Sequence, residues 1–145
     1  MNSKGTVDGG VEKRGKVVVF ACFGGFSNTG IATALASMGA VSEVGLDKAS
    51  IGCLASIPLG TETVRSKCDA ATKIVVVDGC PTECARKLVE KAGYTPSKAF
   101  VLARDIGMEK KSLYEDPITI GDVIKSVEPE ELQRAKELIV KAILE

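Results

Sequence analysis

Five cysteines and no histidine frame the chemistry open to this 145-residue chain. The thiols are Cys22, Cys53, Cys68, Cys80 and Cys84. Without histidine there is no Ser-His-Asp or Cys-His nucleophile pair, no histidine metal ligand and no histidine acid–base catalysis. A metal site must therefore use Cys, Asp or Glu. Four thiolates are what a tetrahedral Zn²⁺ site or an iron–sulfur cluster takes. The gaps run Cys22-x30-Cys53-x26-Cys80-x3-Cys84 once Cys68 is set aside. They lack the paired Cys-x2-Cys knuckles of zinc ribbons. Spacing alone therefore does not designate a metal, and the fold must bring the thiols together.

The elements that would do so are legible as apolar runs and turn residues. Residues 16–22 (KVVVFAC) form a continuous β-branched run, the mark of a strand covered on both faces. A helix follows over residues 29–38, with Ser27 or Asn28 as N-cap and Gly39 as stop. Residues 49–57 read as a weaker second strand and 61–71 as a short helix. Residues 73–77 (KIVVV) are the clearest central strand, closed by Asp78-Gly79. A helix over 81–92 carries Cys84, Leu88, Val89 and Ala92 on one stripe and ends at Gly93. A fourth strand spans 98–103, a polar connection 104–117 and a short helix 120–127. Residues 128–144 make the strongest amphipathic helix, with Pro129 at N1.

Strands alternating with helices predict an α/β domain: a three-layer, Rossmann-like sandwich with a mostly parallel sheet of about four strands. Residues 1–15 read as a mobile leader and 16–145 as a single metal-binding domain. In such sheets the site lies beyond the carboxyl ends of the strands. There Cys22 ends the first strand, Cys53 lies in or near the end of the second, and Cys80 follows the third. With Cys80 in the first turn of its helix, the i,i+4 spacing brings Cys84 near the same face. Helix N-termini after Cys22 and Cys80 favour thiolate.

Each feature also has a plain structural reading. Free cysteine is a common core residue, the better reading for Cys68 and an even one for Cys53. Gly24, Gly25, Gly60 and Gly79 can simply permit tight turns. Asp78 can be a helix cap. Lys110 and Lys111 read as a solvated loop.

Composition sets the outer bounds. The chain is 45% apolar and 26% charged, which places it among ordinary globular proteins. Nineteen basic residues balance nineteen acidic ones. With no basic patch, four Phe, two Tyr and no Trp, nucleic acid is not an expected partner. No apolar run approaches about 18 residues and no signal-peptide core precedes the first strand, so neither a membrane nor export is expected. The expected location is a reducing cytoplasm, where five thiols read as ligands, reactive groups or core residues. No residue marks a protein partner or a substrate, and a homodimer is compatible with the sequence.

Three blocks carry a family resemblance: Cys22-x-Gly24-x-x-Ser27-Asn28-x-Gly30, Gly52-Cys53-Leu54-Ala55, and Val77-Asp78-Gly79-Cys80-Pro81-x-x-Cys84-Ala85. Together they resemble the DGC-domain family, named for its central Asp-Gly-Cys motif. The likeness runs over residues 16–105, and its third block is the most specific. The family is regarded as binding zinc through four cysteines, which implies Cys22, Cys53, Cys80 and Cys84 as ligands here. Cys68 matches no motif position. Gly25-Phe26 depart from the first block, where Cys or small residues are common, without touching a ligand position. The resemblance implies a site and no biological role.

Three functional readings follow, beside a purely structural or scaffolding one for which nothing in the sequence marks an interface. In the first, one Zn²⁺ is held by Cys22, Cys53, Cys80 and Cys84, with loop N–H groups around Gly24, Gly25 and Gly79 offsetting the thiolate charge. Four ligands close the shell; without Cys53, the first to be dropped, a position opens for Lewis-acid chemistry. The second is an iron–sulfur or thiol-redox protein using the same cysteines, with Cys80-Pro81 as its echo of ferredoxin ligation. The third is a phosphatase-like enzyme with Cys22 as nucleophile. It is weakened because Asn28 stands where low-molecular-weight tyrosine phosphatases place an arginine clamp.

Overall fold

The computed structural model describes residues 16–145; the leader expected over 1–15 lies outside the described residues. Four strands form one all-parallel sheet: β1 (Val17–Ala21), β2 (Ala49–Ile51), β3 (Lys73–Asp78) and β4 (Lys98–Val101). Their order is β2-β1-β3-β4. Six helices accompany them: α1 (Asn28–Val44), α2 (Glu62–Ala70), α3 (Cys84–Lys91), α4 (Leu102–Asp105), α5 (Pro117–Ile120) and α6 (Pro129–Leu144). Two 3₁₀ turns, Leu54–Ser56 and Ile124–Ser126, complete the set.

The continuous apolar strands explain the three layers. Side chains alternate across a strand, so a run without polar residues must be covered on both sides. Val17, Val19, Val75 and Val77 pack against α1 and α6 with Ala36, Ala40, Ala135 and Ile139. Val18, Phe20, Ile74 and Val76 face the other way, onto Val64 and Cys68 of α2 and Ala85 and Val89 of α3. Phe20 is fully buried, a contribution of roughly 1.5–3 kcal/mol.

Several elements differ from the sequence expectation, each for a tertiary reason. Gly39 does not stop α1. The helix runs on to Val44 and ends at Gly45, whose φ is 103°. At Gly39 the missing side chain makes room for Lys136 of α6, which would lie 3.1 Å from a Cβ there. The second strand stops at Ile51 rather than 57. As an edge strand it pairs only with β1, and the chain turns off at Gly52, whose Cα lies against the Phe20 ring. The third helix begins at Cys84 rather than 81, because Glu83 adopts a left-handed conformation (φ 53°) that interrupts the helix. Cys80 is consequently not on the helix, and the i,i+4 helical pairing of Cys80 with Cys84 does not form. β4 ends at Val101, where the chain turns directly into α4. The helix expected over 120–127 resolves into α5 and a 3₁₀ turn, separated by Gly121 with φ 78°.

Candidate metal centre

The strand order creates the site. From β1 the chain crosses outward to β2, then returns to the other side of β1 for β3 and β4. Connections on either side of the β1–β3 boundary therefore run in opposite senses, which leaves a crevice at the carboxyl ends of those two strands. Cys22 is the first residue past β1, and Cys80 is two residues past β3. Cys84 opens α3. These three thiol residues line one cavity of about 270 Å³, together with Gly79 and Lys110.

Its walls require close backbone packing. A Cβ on Gly79 would lie 2.7 Å from the carbonyl carbon of Thr29 and 2.9 Å from the Gly30 nitrogen. Only glycine lets the loop after β3 meet the N-terminus of α1 so closely. Gly30 in turn rests on the Gly24 carbonyl, where a Cβ would collide. Ser27 caps α1, its hydroxyl accepting from the Gly30 N–H at 3.2 Å. Asp78, 2% exposed at the end of β3, accepts from the N–H groups of Ala85 (2.8 Å) and Arg86 (3.0 Å). It thereby caps α3 across the turn that carries Cys80. Burial raises its carboxyl pKa, against the pull of those two N–H groups.

Among the described residues only Phe23 (φ 46°) and Glu83 (φ 53°) are non-glycine residues at positive φ. Phe23 follows Cys22 and Glu83 precedes Cys84. A left-handed L-residue costs roughly 1–2 kcal/mol, and such strain gathers where a structure must aim a particular group. Phe23 is held by its N–H, which donates to Thr33 Oγ1 at 3.0 Å. The same Oγ1 lies 3.6 Å from Cys22 Sγ and donates to the Gly30 carbonyl at 2.6 Å.

One family of domains matches this chain: the DGC domain, over residues 18–137. The chain belongs to the DGC-domain family. No curated protein and no solved structure matches it. In this DGC domain the Asp-Gly-Cys triplet divides three structural tasks among neighbours. Asp78 caps α3, Gly79 admits the close approach to α1, and Cys80 presents its thiol to the crevice.

The remaining cysteines fall apart from this trio. Cys53 is exposed and lines a neighbouring cavity, whose wall it shares with Cys22. Its Sγ accepts a hydrogen bond from Ser56 Oγ at 3.2 Å, which holds the thiol pKa below its ordinary value. Cys68 is buried among Val64, Ile74 and Val89; burial, with Asp69 beside it, pushes its thiol up. Cys80 is pulled down, chiefly by the Thr82 hydroxyl and further by Lys110. Among the described residues no three Cys, Asp or Glu side chains stand together at metal-ligating spacing. The donor chemistry nonetheless suits a thiophilic metal: three thiols on one cavity, a fourth on the adjoining one and no histidine.

Sequence reasoning did not find Lys110, Thr33 or Glu83. Lys110 reads as solvated loop, yet the loop is fastened to α1. Asn28 Nδ2 donates to the Glu109 carbonyl at 3.0 Å, and the Lys111 N–H donates to Asn28 Oδ1. Leu113 N–H donates to the Phe26 carbonyl at 2.7 Å. This strap carries Lys110 to the cavity. Its partners are some 80 residues away in sequence, so no local pattern announces it.

Proposed function

We propose that this DGC domain is a metal-thiolate protein that binds one zinc ion through Cys22, Cys80 and Cys84, with Cys53 as the fourth ligand. The observation that carries the reading is the shared cavity. Two βα connections separated by more than fifty residues deliver three thiols to the β1–β3 crevice. Cys53 comes to the other side of the Cys22 wall. The cationic Lys110 at the same cavity offsets the negative charge that a multi-thiolate site accumulates. With four thiolates the zinc completes its shell and cross-links the loops after β1, β2 and β3. With three, it keeps a position open as a Lewis acid.

The phosphatase-like reading finds less support. Asn28, at the clamp position, commits both ends of its amide to the 109–111 strap, so neither is turned to a phosphate. Nothing in the site favours an iron–sulfur cluster over zinc, and the experiment separates them.

Metal content is measured on protein purified anaerobically without added metal, with a visible spectrum. The reading expects about one zinc per chain and no visible band. Cys22→Ser, Cys80→Ser and Cys84→Ser should each lower occupancy, while Cys68→Ser should not. Cys53→Ser discriminates a closed site from an open one: a closed site loses affinity, an open one keeps it. Iron with matching sulfide moves the assignment to the redox protein. Absence of both metals, with all thiols titratable, overturns it.

A further inference from the structure

Lys110 is the cation of the three-thiol crevice. The acids in the same wall are engaged elsewhere. Asp78 accepts from the Ala85 and Arg86 N–H groups, and Glu83 pairs with Arg86 at 3.0 Å. Lys110 enters no ion pair with a carboxylate among the described residues. Its charge is instead felt at Cys80, beside the larger effect of the Thr82 hydroxyl.

The Lys110 side chain is exposed, but its backbone is not free. Asn28 is 1% exposed and grips the chain on both sides of it. Asn28 Nδ2 donates to the Glu109 carbonyl at 3.0 Å, and the Lys111 N–H donates to Asn28 Oδ1 at 2.6 Å. The Asn28 N–H donates to the Lys111 carbonyl at 3.1 Å. All three bonds end on residues 109 and 111, and none on 110. The clamp therefore fixes both neighbours of Lys110 and leaves its side chain to the crevice. Helix capping does not account for this amide, because Ser27 already caps α1.

We infer that Asn28 is a positioning residue of the metal centre: by clamping residues 109 and 111 it fixes Lys110 beside Cys80, where the ammonium stabilises the zinc-loaded crevice. The inference rests on the zinc reading above. Its sign follows from charge. Metal binding at neutral pH displaces thiol protons, so the crevice gains negative charge as it loads, and a fixed cation beside it favours the loaded form. Without the clamp the loop must be ordered at each binding event, which offsets part of that attraction.

Zinc affinity of the full chain, measured by competition with a chromophoric chelator, tests it. Lys110→Gln should weaken binding roughly threefold to tenfold, the worth of one partly screened charge-assisted contact. Lys110→Arg should recover most of that loss. Asn28→Ala should weaken binding by a similar factor in the wild-type background and by much less once Lys110→Gln is present. A role confined to folding would act equally in both backgrounds. In metal-free protein, amide hydrogen exchange at Lys111 should quicken in Asn28→Ala and stay as it is in Lys110→Gln. If Asn28→Ala does not fold, Lys111→Pro replaces it in the affinity cycle, since it removes the N–H that Asn28 Oδ1 accepts. An affinity indifferent to Lys110→Gln overturns the inference. So does an equal loss from the clamp variant in both backgrounds, or Lys111 exchange unchanged by Asn28→Ala. A wild type that binds no zinc overturns the metal reading and this inference with it. A wild type that binds zinc through its cysteines, with Lys110 indifferent, overturns this inference alone.

Discussion

Cysteine is not one chemical species in this chain. Cys53 is exposed with a thiol pulled down by the Ser56 hydroxyl, whereas Cys68 is buried and pushed up. Since the thiolate is the nucleophile, iodoacetamide should alkylate Cys53 early and Cys68 last in metal-stripped protein. Peptide mapping by mass spectrometry at successive times checks the order. Asp105 offers a pH signature away from the thiols. Partial burial pushes its carboxyl up, but the Arg104 guanidinium and the Val101 N–H at 2.7 Å outweigh this and leave its pKa below 3.8. A depressed folded-state pKa stabilises above the unfolded value, and that stability is lost as pH falls through the folded value. Asp105→Asn should therefore destabilise at neutral pH. The gap to wild type should close as pH falls through the acid range below the ordinary carboxylate value. Urea unfolding at several pH values reads the gap.

Turn conformation decides what the elements around the site can present. Glu83 ends the 80–83 turn in a left-handed conformation that sets where α3 begins. Glycine adopts this conformation freely, while a β-branched residue there is a true outlier. Glu83→Gly should hold stability or raise it by up to about 1 kcal/mol. Its part-buried ion pair with Arg86 is lost in this variant and offsets part of that gain, which keeps the expected change at the low end of the range. Glu83→Val should lower stability by roughly 1–3 kcal/mol. Chemical denaturation measures both, and an equal effect of the two substitutions would contradict the turn's role. α1 and α6 illustrate a different rule. Ala36 and Ala40 on one helix meet Ala135 and Ile139 on the other, and small residues let the two lie close enough for Lys136 to lie against Gly39. Propensity would end the first helix at that glycine; packing carries it through.

Across the whole molecule, the apolar clusters on the two sheet faces are complete without a metal. No described helix is long and apolar enough to cross a membrane. A bound zinc would act on the loops at the carboxyl edge, not on the sheet. Chelator treatment should therefore lower Tm by at least about 5 °C while leaving far-UV circular dichroism at low temperature nearly unchanged. Collapse of the secondary structure on chelation would mean that the metal also organises the core.

Local pattern was enough for the parallel α/β architecture, because strands buried on both faces read as unbroken apolar runs such as residues 17–21 and 74–77. The same pattern placed Cys22 and Cys80 at strand ends and α6 at Pro129. It did not carry strand order, which depends on which faces pack together once the chain has collapsed. With β1 beside β3, Cys22 and Cys80 share a crevice; with β2 outside β1, Cys53 is left on the adjoining cavity. Nor could spacing reveal Lys110, which reaches its cavity through contacts distant in sequence.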